Sequence, residues 1–168
     1  MLYTMLKRYS EFVSLLLALT ILNLPVSSTG SEKKIQWDAE NFIVYKHPLC
    51  FCCNKWVDYL RENDIAVSSS SELNMTKVRQ QWGIPRGMEG CHTAVWHNKY
   101  VFEGHVPVSY ILRFLSSPPE GGIGLVVPGM PIGSPGMEVD GKFEPYNIYL
   151  LLKGGDYRPF ARIEKPEV

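Results

Sequence analysis

Cys50, Cys52 and Cys53 fall within four consecutive positions, and a fourth cysteine, Cys91, comes much later and is followed at once by His92. Thiolates are the nucleophiles of disulfide exchange and also the ligands of soft metals, so this grouping asks for one chemistry or the other. Cys50 and Cys53 make the C-x-x-C spacing of a thiol oxidoreductase, with Cys50 as nucleophile and Cys53 as resolving thiol. Cys52 is surplus to that mechanism, and a third thiol beside the pair invites scrambling. Three crowded thiolates repel one another, and a bound cation relieves the repulsion. If Cys52 and Cys53 open a helix they point about 100° apart, since a turn takes about 3.6 residues. That divergence suits thiolates that bridge several ions better than two arms on one tetrahedral ion, and Cu(I) is the soft ion that thiolates select. Closed zinc sites are usually built from two separated pairs, yet a Cys₄ or Cys₃His set remains available from these residues. Copper binding, thiol redox and structural zinc therefore stay open, with copper favoured.

Other side chains are candidates for the same neighbourhood. His105, just before an expected helix, is a candidate extra ligand or a support for the ligands, and so is His92 beside Cys91. Met130 and Met137 lie in a Pro/Gly loop and carry thioethers that suit Cu(I) as peripheral ligands or as an entry path. His47 and His97 read as exposed and turn residues, and Trp56 as helix-packing core.

The elements that must position these residues follow from hydrophobic pattern. Asn41–Lys46 is a β-branched and aromatic run, stopped by His47-Pro48-Leu49. From Cys52 the period becomes helical, with Cys53, Trp56, Val57 and Leu60 on one face. Ile65–Val67 reads as a second strand, followed by a serine-rich connection, and Met75–Trp82 as a second helix. Cys91–Trp96 and Tyr100–Phe102 make a hairpin around Asn98-Lys99, and Tyr110, Ile111, Phe114 and Leu115 give a third helix its apolar face. Gly121–Met137 is a Gly/Pro-rich loop, and a terminal hairpin follows with Tyr146–Leu150 as its clearest strand. The order β-α-β-α-β-β-α, with thiols at the first strand-to-helix junction, is that of a thioredoxin-like α/β domain.

At 168 residues the chain has room for one such domain with a real core. Basic and acidic residues balance at 17 each, and no basic stretch is dense enough for a nucleic-acid footprint, so no nucleic-acid partner is expected. Lys7 and Arg8 precede the apolar run Phe12–Leu24, which is shorter than the about 20 residues a spanning helix needs. Pro25 breaks the run, and small residues Val26-Ser27-Ser28 follow, as in a secretory signal. The expected organisation is a signal peptide over 1–28, a lead-in over 29–40 and a metal-binding domain over 41–168. An exported, periplasmic protein is expected, with an uncleaved membrane anchor as the competing reading and no stable membrane span.

The chain resembles the CopG-like copper-resistance proteins, a bacterial periplasmic metal-binding family. The stretch Cys50-Phe51-Cys52-Cys53-Asn54-Lys55-Trp56 carries the resemblance, as do Cys91-His92-Thr93-Ala94, Glu103-Gly104-His105-Val106-Pro107 and Gly124 through Met137, in family order over roughly residues 41 to 160. The resemblance implies a thioredoxin-like fold, several copper ions in a cluster bridged by Cys50, Cys52, Cys53 and Cys91, and a role in copper tolerance. It also implies an oxidoreductase role, by interconversion of Cu(I) and Cu(II), and partners among periplasmic copper-handling or redox proteins. The family usually has glycine between its first two cysteines, where this chain has Phe51.

Overall fold

The structure, a computed structural model, describes residues 35–166. The expected signal peptide and the first part of the lead-in lie outside the described residues. Strand β1 (Phe42–Lys46) leads through a short turn into helix α1 (Phe51–Glu62). Then come β2 (Ser68–Ser71), α2 (Met75–Gln81), the hairpin β3 (His92–Trp96) and β4 (Tyr100–Glu103), and α3 (Val108–Ser116). Strands β5 (Gly122–Val126), β6 (Tyr146–Leu152) and β7 (Tyr157–Ile163) complete a seven-stranded mixed sheet in the order β2-β1-β3-β4-β5-β6-β7. β1 pairs parallel with β2 across α1 and antiparallel with β3, which places the entrances of α1 and β3 at the same end of the sheet.

Alternation along the strands divides the core between the two faces of the sheet. Phe42, Val44, Ala94, Phe102, Leu125 and Leu150 pack with Trp56 and Leu60 of α1 and with Ile111 and Phe114 of α3. On the other face Val95, Val101, Val126 and Leu151 pack with Ile84 and Met88, beyond α2. The four residues read as the inner face of α1 are the four it buries: Cys53, Trp56, Val57 and Leu60.

Two elements differ from the sequence reading. The second strand is not Ile65–Val67 but the serine run Ser68–Ser71, which pairs with Ile43–Lys46. Ile65 and Val67 are buried as the chain drops off α1. The strand itself lies at the sheet edge, where backbone pairing rather than an apolar side-chain pattern defines it. The Gly/Pro-rich loop also begins later than expected, because Gly122–Val126 is strand β5, held between β4 and β6. Gly124 passes so close to β4 that a Cβ there would fall onto the Val101 carbonyl, so this glycine marks close strand approach and not a turn. The terminal hairpin is present as β6 and β7.

Candidate metal centre

The chain leaves β1 through His47-Pro48-Leu49, a turn closed by the Cys50 N–H donating to the His47 carbonyl at 3.0 Å. The His47 ring is used inside this turn, where its Nδ1 accepts from the Leu49 N–H. Cys50 sits at the N-cap of α1 in extended conformation, with no side-chain cap and no acidic residue in the first turn. Cys50, Cys52 and Cys53 thus stand at a helix start with no capping side chain, at the positive end of the peptide dipoles. Phe51 opens the helix without a positive φ, and its ring is 79% exposed, so it stands in solvent beside the thiols instead of covering them.

Cys91 arrives from the other side of the sheet hairpin, at the entrance of β3. The Cys52 sulfur lies 3.5 Å from that of Cys50 and 3.5 Å from that of Cys91. The Cys53 sulfur is 3.6 Å from the Cys91 carbonyl oxygen. Cys50 and Cys53 are joined in a disulfide, while Cys52 and Cys91 are free. All four sulfurs lie within 4.8 Å of one another. Burial, the hydrogen bond and charge of Cys52, and the nearby Glu103 carboxylate push the Cys91 thiol up to about 12, with Arg79 opposing.

His92, the residue after Cys91, forms a buried pair with His105. The His92 ring is 4.3 Å from Trp56 and 5.0 Å from His105, centroid to centroid, and the two imidazoles meet edge to face. His105 Nδ1 is 2.8 Å from the Pro135 carbonyl. A carbonyl only accepts, so Nδ1 carries the proton and Nε2 is a bare lone pair. That Nε2 is buried without a hydrogen-bond partner, as are both ring nitrogens of His92. Burial holds both rings below the usual histidine range, with His105 adding to the effect on His92 and the Gly104 backbone opposing it.

The loop after β5 closes over the same end. Gly136, at φ +83°, lies against the first turn of α1, where a Cβ would come within 2.9 Å of the Trp56 nitrogen and 3.1 Å of the Cys52 oxygen. The loop is tied by Ser134, whose hydroxyl donates to the Pro131 carbonyl at 2.7 Å. Of its two methionines, Met137 follows Gly136 and is partly buried, while Met130 is 55% exposed.

Four residues of this region carry no role in the sequence reading: Glu103 and Thr93 stand there only inside the motifs of the resemblance, and Arg79 and Gly90 not at all. Glu103 is wholly buried, and its Oε1 accepts from the Gly90 N–H at 2.8 Å and from Arg79 Nε at 3.0 Å. Its Oε2 accepts from the Thr93 hydroxyl. Arg79 also donates to the Gly90 carbonyl at 2.8 Å. The available signal was a carboxylate ending the apolar run Tyr100-Val101-Phe102, in register with a polar Thr93 on the partner strand.

Among known proteins, a family model described as a protein of unknown function, DUF411, matches residues 88–137, the part that holds Cys91, His92, His105, Met130 and Met137. No curated protein matches the chain. The solved structure of copper resistance protein copG in form 2 is 34% identical, with a TM-score of 0.68 over 73% of this chain and 96% of that one. Form 1 is 33% identical, with a TM-score of 0.67 over 75% of this chain and 97% of that one.

Proposed function

The chain belongs to the family of the copper resistance protein copG, and on that premise we propose that it is an exported protein holding Cu(I) on Cys50, Cys52, Cys53 and Cys91 in a cysteine-bridged polynuclear cluster. Its task in this reading is copper tolerance, served by interconverting Cu(I) and Cu(II) at one electron per ion, alongside other periplasmic copper-handling or redox proteins. Copper is the cargo, and several ions are held per chain.

The central place of Cys52 supports this most. Its sulfur has a cysteine neighbour at 3.5 Å on each side, which is where a bridging thiolate belongs. Two thiolates on one linear ion stand about 4.6 Å apart, twice a metal–sulfur bond of about 2.3 Å, which suits four sulfurs gathered within 4.8 Å. An all-sulfur donor set favours Cu(I) over harder ions. His105, with its tautomer set by Pro135 and its Nε2 bare, and His92 beside it serve in this reading as added donors or as groups that orient the ligands. Met137 and Met130 supply thioethers at the rim, the exposed Met130 on the entry path.

The wider frame is a thioredoxin-like domain over 41–168. Its first seven elements in chain order, with β1 and β2 parallel across α1 and the β3–β4 hairpin beside them, support this. Residues 1–28 are proposed as the signal peptide, 29–40 as the lead-in, and the periplasm as the destination. No helix among the described residues is long and apolar enough to cross a membrane.

The disulfide favours a second reading, a thiol-disulfide oxidoreductase with the partly exposed Cys50 as nucleophile and the buried Cys53 as resolving thiol. Opening that bond takes two electrons and two protons and returns the two thiols that a four-sulfur copper site needs. Anaerobic purification from copper-supplemented cells, followed by metal analysis, tests the proposal. More than one copper per chain is expected. A single zinc that excess Cu(I) does not displace overturns the cluster and leaves structural zinc, while a metal-free protein that reduces insulin disulfides rapidly leaves the oxidoreductase.

A further inference from the structure

Gly90, the residue immediately before Cys91, is held at both its N–H and its carbonyl by one ion pair. The Gly90 N–H donates to Glu103 Oε1 at 2.8 Å, and the Gly90 carbonyl accepts from Arg79 at 2.8 Å. Arg79 and Glu103 close the ring through a 3.0 Å contact between Nε and Oε1. Three elements meet in it. Arg79 comes from α2, Glu103 from the end of β4, and Thr93, which donates to Oε2, from β3 one residue beyond His92. Glu103 is fully buried, and the Arg79 side chain is only 17% exposed. Such a pair is a poor source of stability in itself, since removing both charges from water costs about as much as their attraction returns. What it does fix is the path of the backbone into Cys91, the cysteine that reaches the site by no local turn.

We propose that Arg79 and Glu103 are positioning residues for Cys91, a two-sided clamp on Gly90 that sets where the fourth sulfur stands against Cys52. The role rests on the four-cysteine reading of the site. The clamp works through direction: the planar guanidinium reaches the carboxylate and the Gly90 carbonyl at once, which the single ammonium of lysine does not reproduce. Glutamine at position 103 keeps an oxygen for both Arg79 and Gly90 and turns its amide towards the Thr93 oxygen, so it preserves the geometry while removing the charge.

The test is a double-mutant cycle on the full chain, reduced anaerobically and titrated with Cu(I) against a chromophoric Cu(I) chelator. Arg79→Met is expected to weaken copper binding by roughly 10–100-fold, the usual effect of losing a group that orients a metal ligand. Arg79→Lys is expected to recover part of that loss, and Glu103→Gln to lose much less than Glu103→Ala. In a Cys91→Ser background, Arg79→Met is expected to add little, because the sulfur that the clamp aims is gone. Equal effects of Arg79→Met with and without Cys91 overturn the proposal and assign the pair to general stability. The proposal fails equally if Arg79→Met leaves copper affinity unchanged while Cys91→Ser abolishes it. If Cys91→Ser itself leaves copper binding intact, the four-cysteine site is what fails. Thermal unfolding of each variant shows whether Glu103→Ala has simply failed to fold, and in that event the arginine variants decide.

Discussion

Three of the four cysteines reach the site along one continuous turn of chain, whereas Cys91 arrives 38 residues after Cys53. The first group needs only that β1 ends and α1 begins: a turn at His47–Leu49, an uncapped helix start, and an inner face set by Trp56, Val57 and Leu60. Cys91 needs the whole domain. β3 must pair with β1, β4 must bring Glu103, α2 must bring Arg79, and the loop through Gly136 must close over the result. Half of the site is therefore written in local sequence and half is assembled by tertiary structure, although the sulfurs end side by side.

The largest expected effect comes from breaking each half in turn. Cys52→Ser is expected to remove most of the bound copper while leaving Cys50 and Cys53 able to exchange disulfides, because Cys52 is the sulfur between two others. Cys91→Ser is expected to be as severe, despite leaving the local triplet intact. Copper stoichiometry by metal analysis, with insulin reduction measured in parallel, checks both. A Cys91→Ser protein that kept its full copper content would make the local triplet sufficient and end the comparison.

A smaller effect separates the loop from the sulfurs. Gly136 rests on the first turn of α1 at a positive φ, so Gly136→Ala meets both backbone strain and a contact with the Trp56 nitrogen. The expected loss is roughly 1–3 kcal/mol of stability, the usual range for a strained backbone position. Chemical denaturation of the copper-free protein measures it. No change in the unfolding midpoint would mean that the loop lifts off α1 freely and does not seal the site.

The same division explains what could be read in advance. The helical face of α1 and the β3–β4 hairpin announce themselves by local pattern, and each is present as expected. Ser68–Ser71 could not announce itself, since an edge strand of serines carries no apolar alternation and is defined by pairing with β1. Gly122–Val126 hid behind its glycines, of which Gly124 serves close approach to β4 instead of turning the chain. Glu103 and Arg79 lie 24 residues apart in sequence, and no local spacing joins them. The histidines were legible as candidates, but their burial as an edge-to-face pair comes only from the packed sheet.

The smallest predicted effect, on stability against pH, tests whether that packed half stays closed. His92 and His105 are buried with three unpartnered ring nitrogens between them, and burial lowers both pKa values below the ordinary 6.5. A base whose pKa is depressed by folding stays neutral in the native state while its unfolded counterpart takes up a proton. The stability that this represents is present above pH 6.5 and is lost as pH falls from there towards the folded pKa values. The slope is at most about 1.4 kcal/mol per pH unit for each histidine. Copper-free protein is therefore expected to unfold at lower denaturant at pH 5 than at pH 7. His92→Phe is expected to flatten that dependence by about one histidine's share, since phenylalanine fills the place beside Trp56 without a proton site. An unchanged slope in His92→Phe would mean that the ring meets solvent before it protonates. The tertiary half of the site would then open locally at acid pH, while the turn that carries Cys50, Cys52 and Cys53 stayed in place.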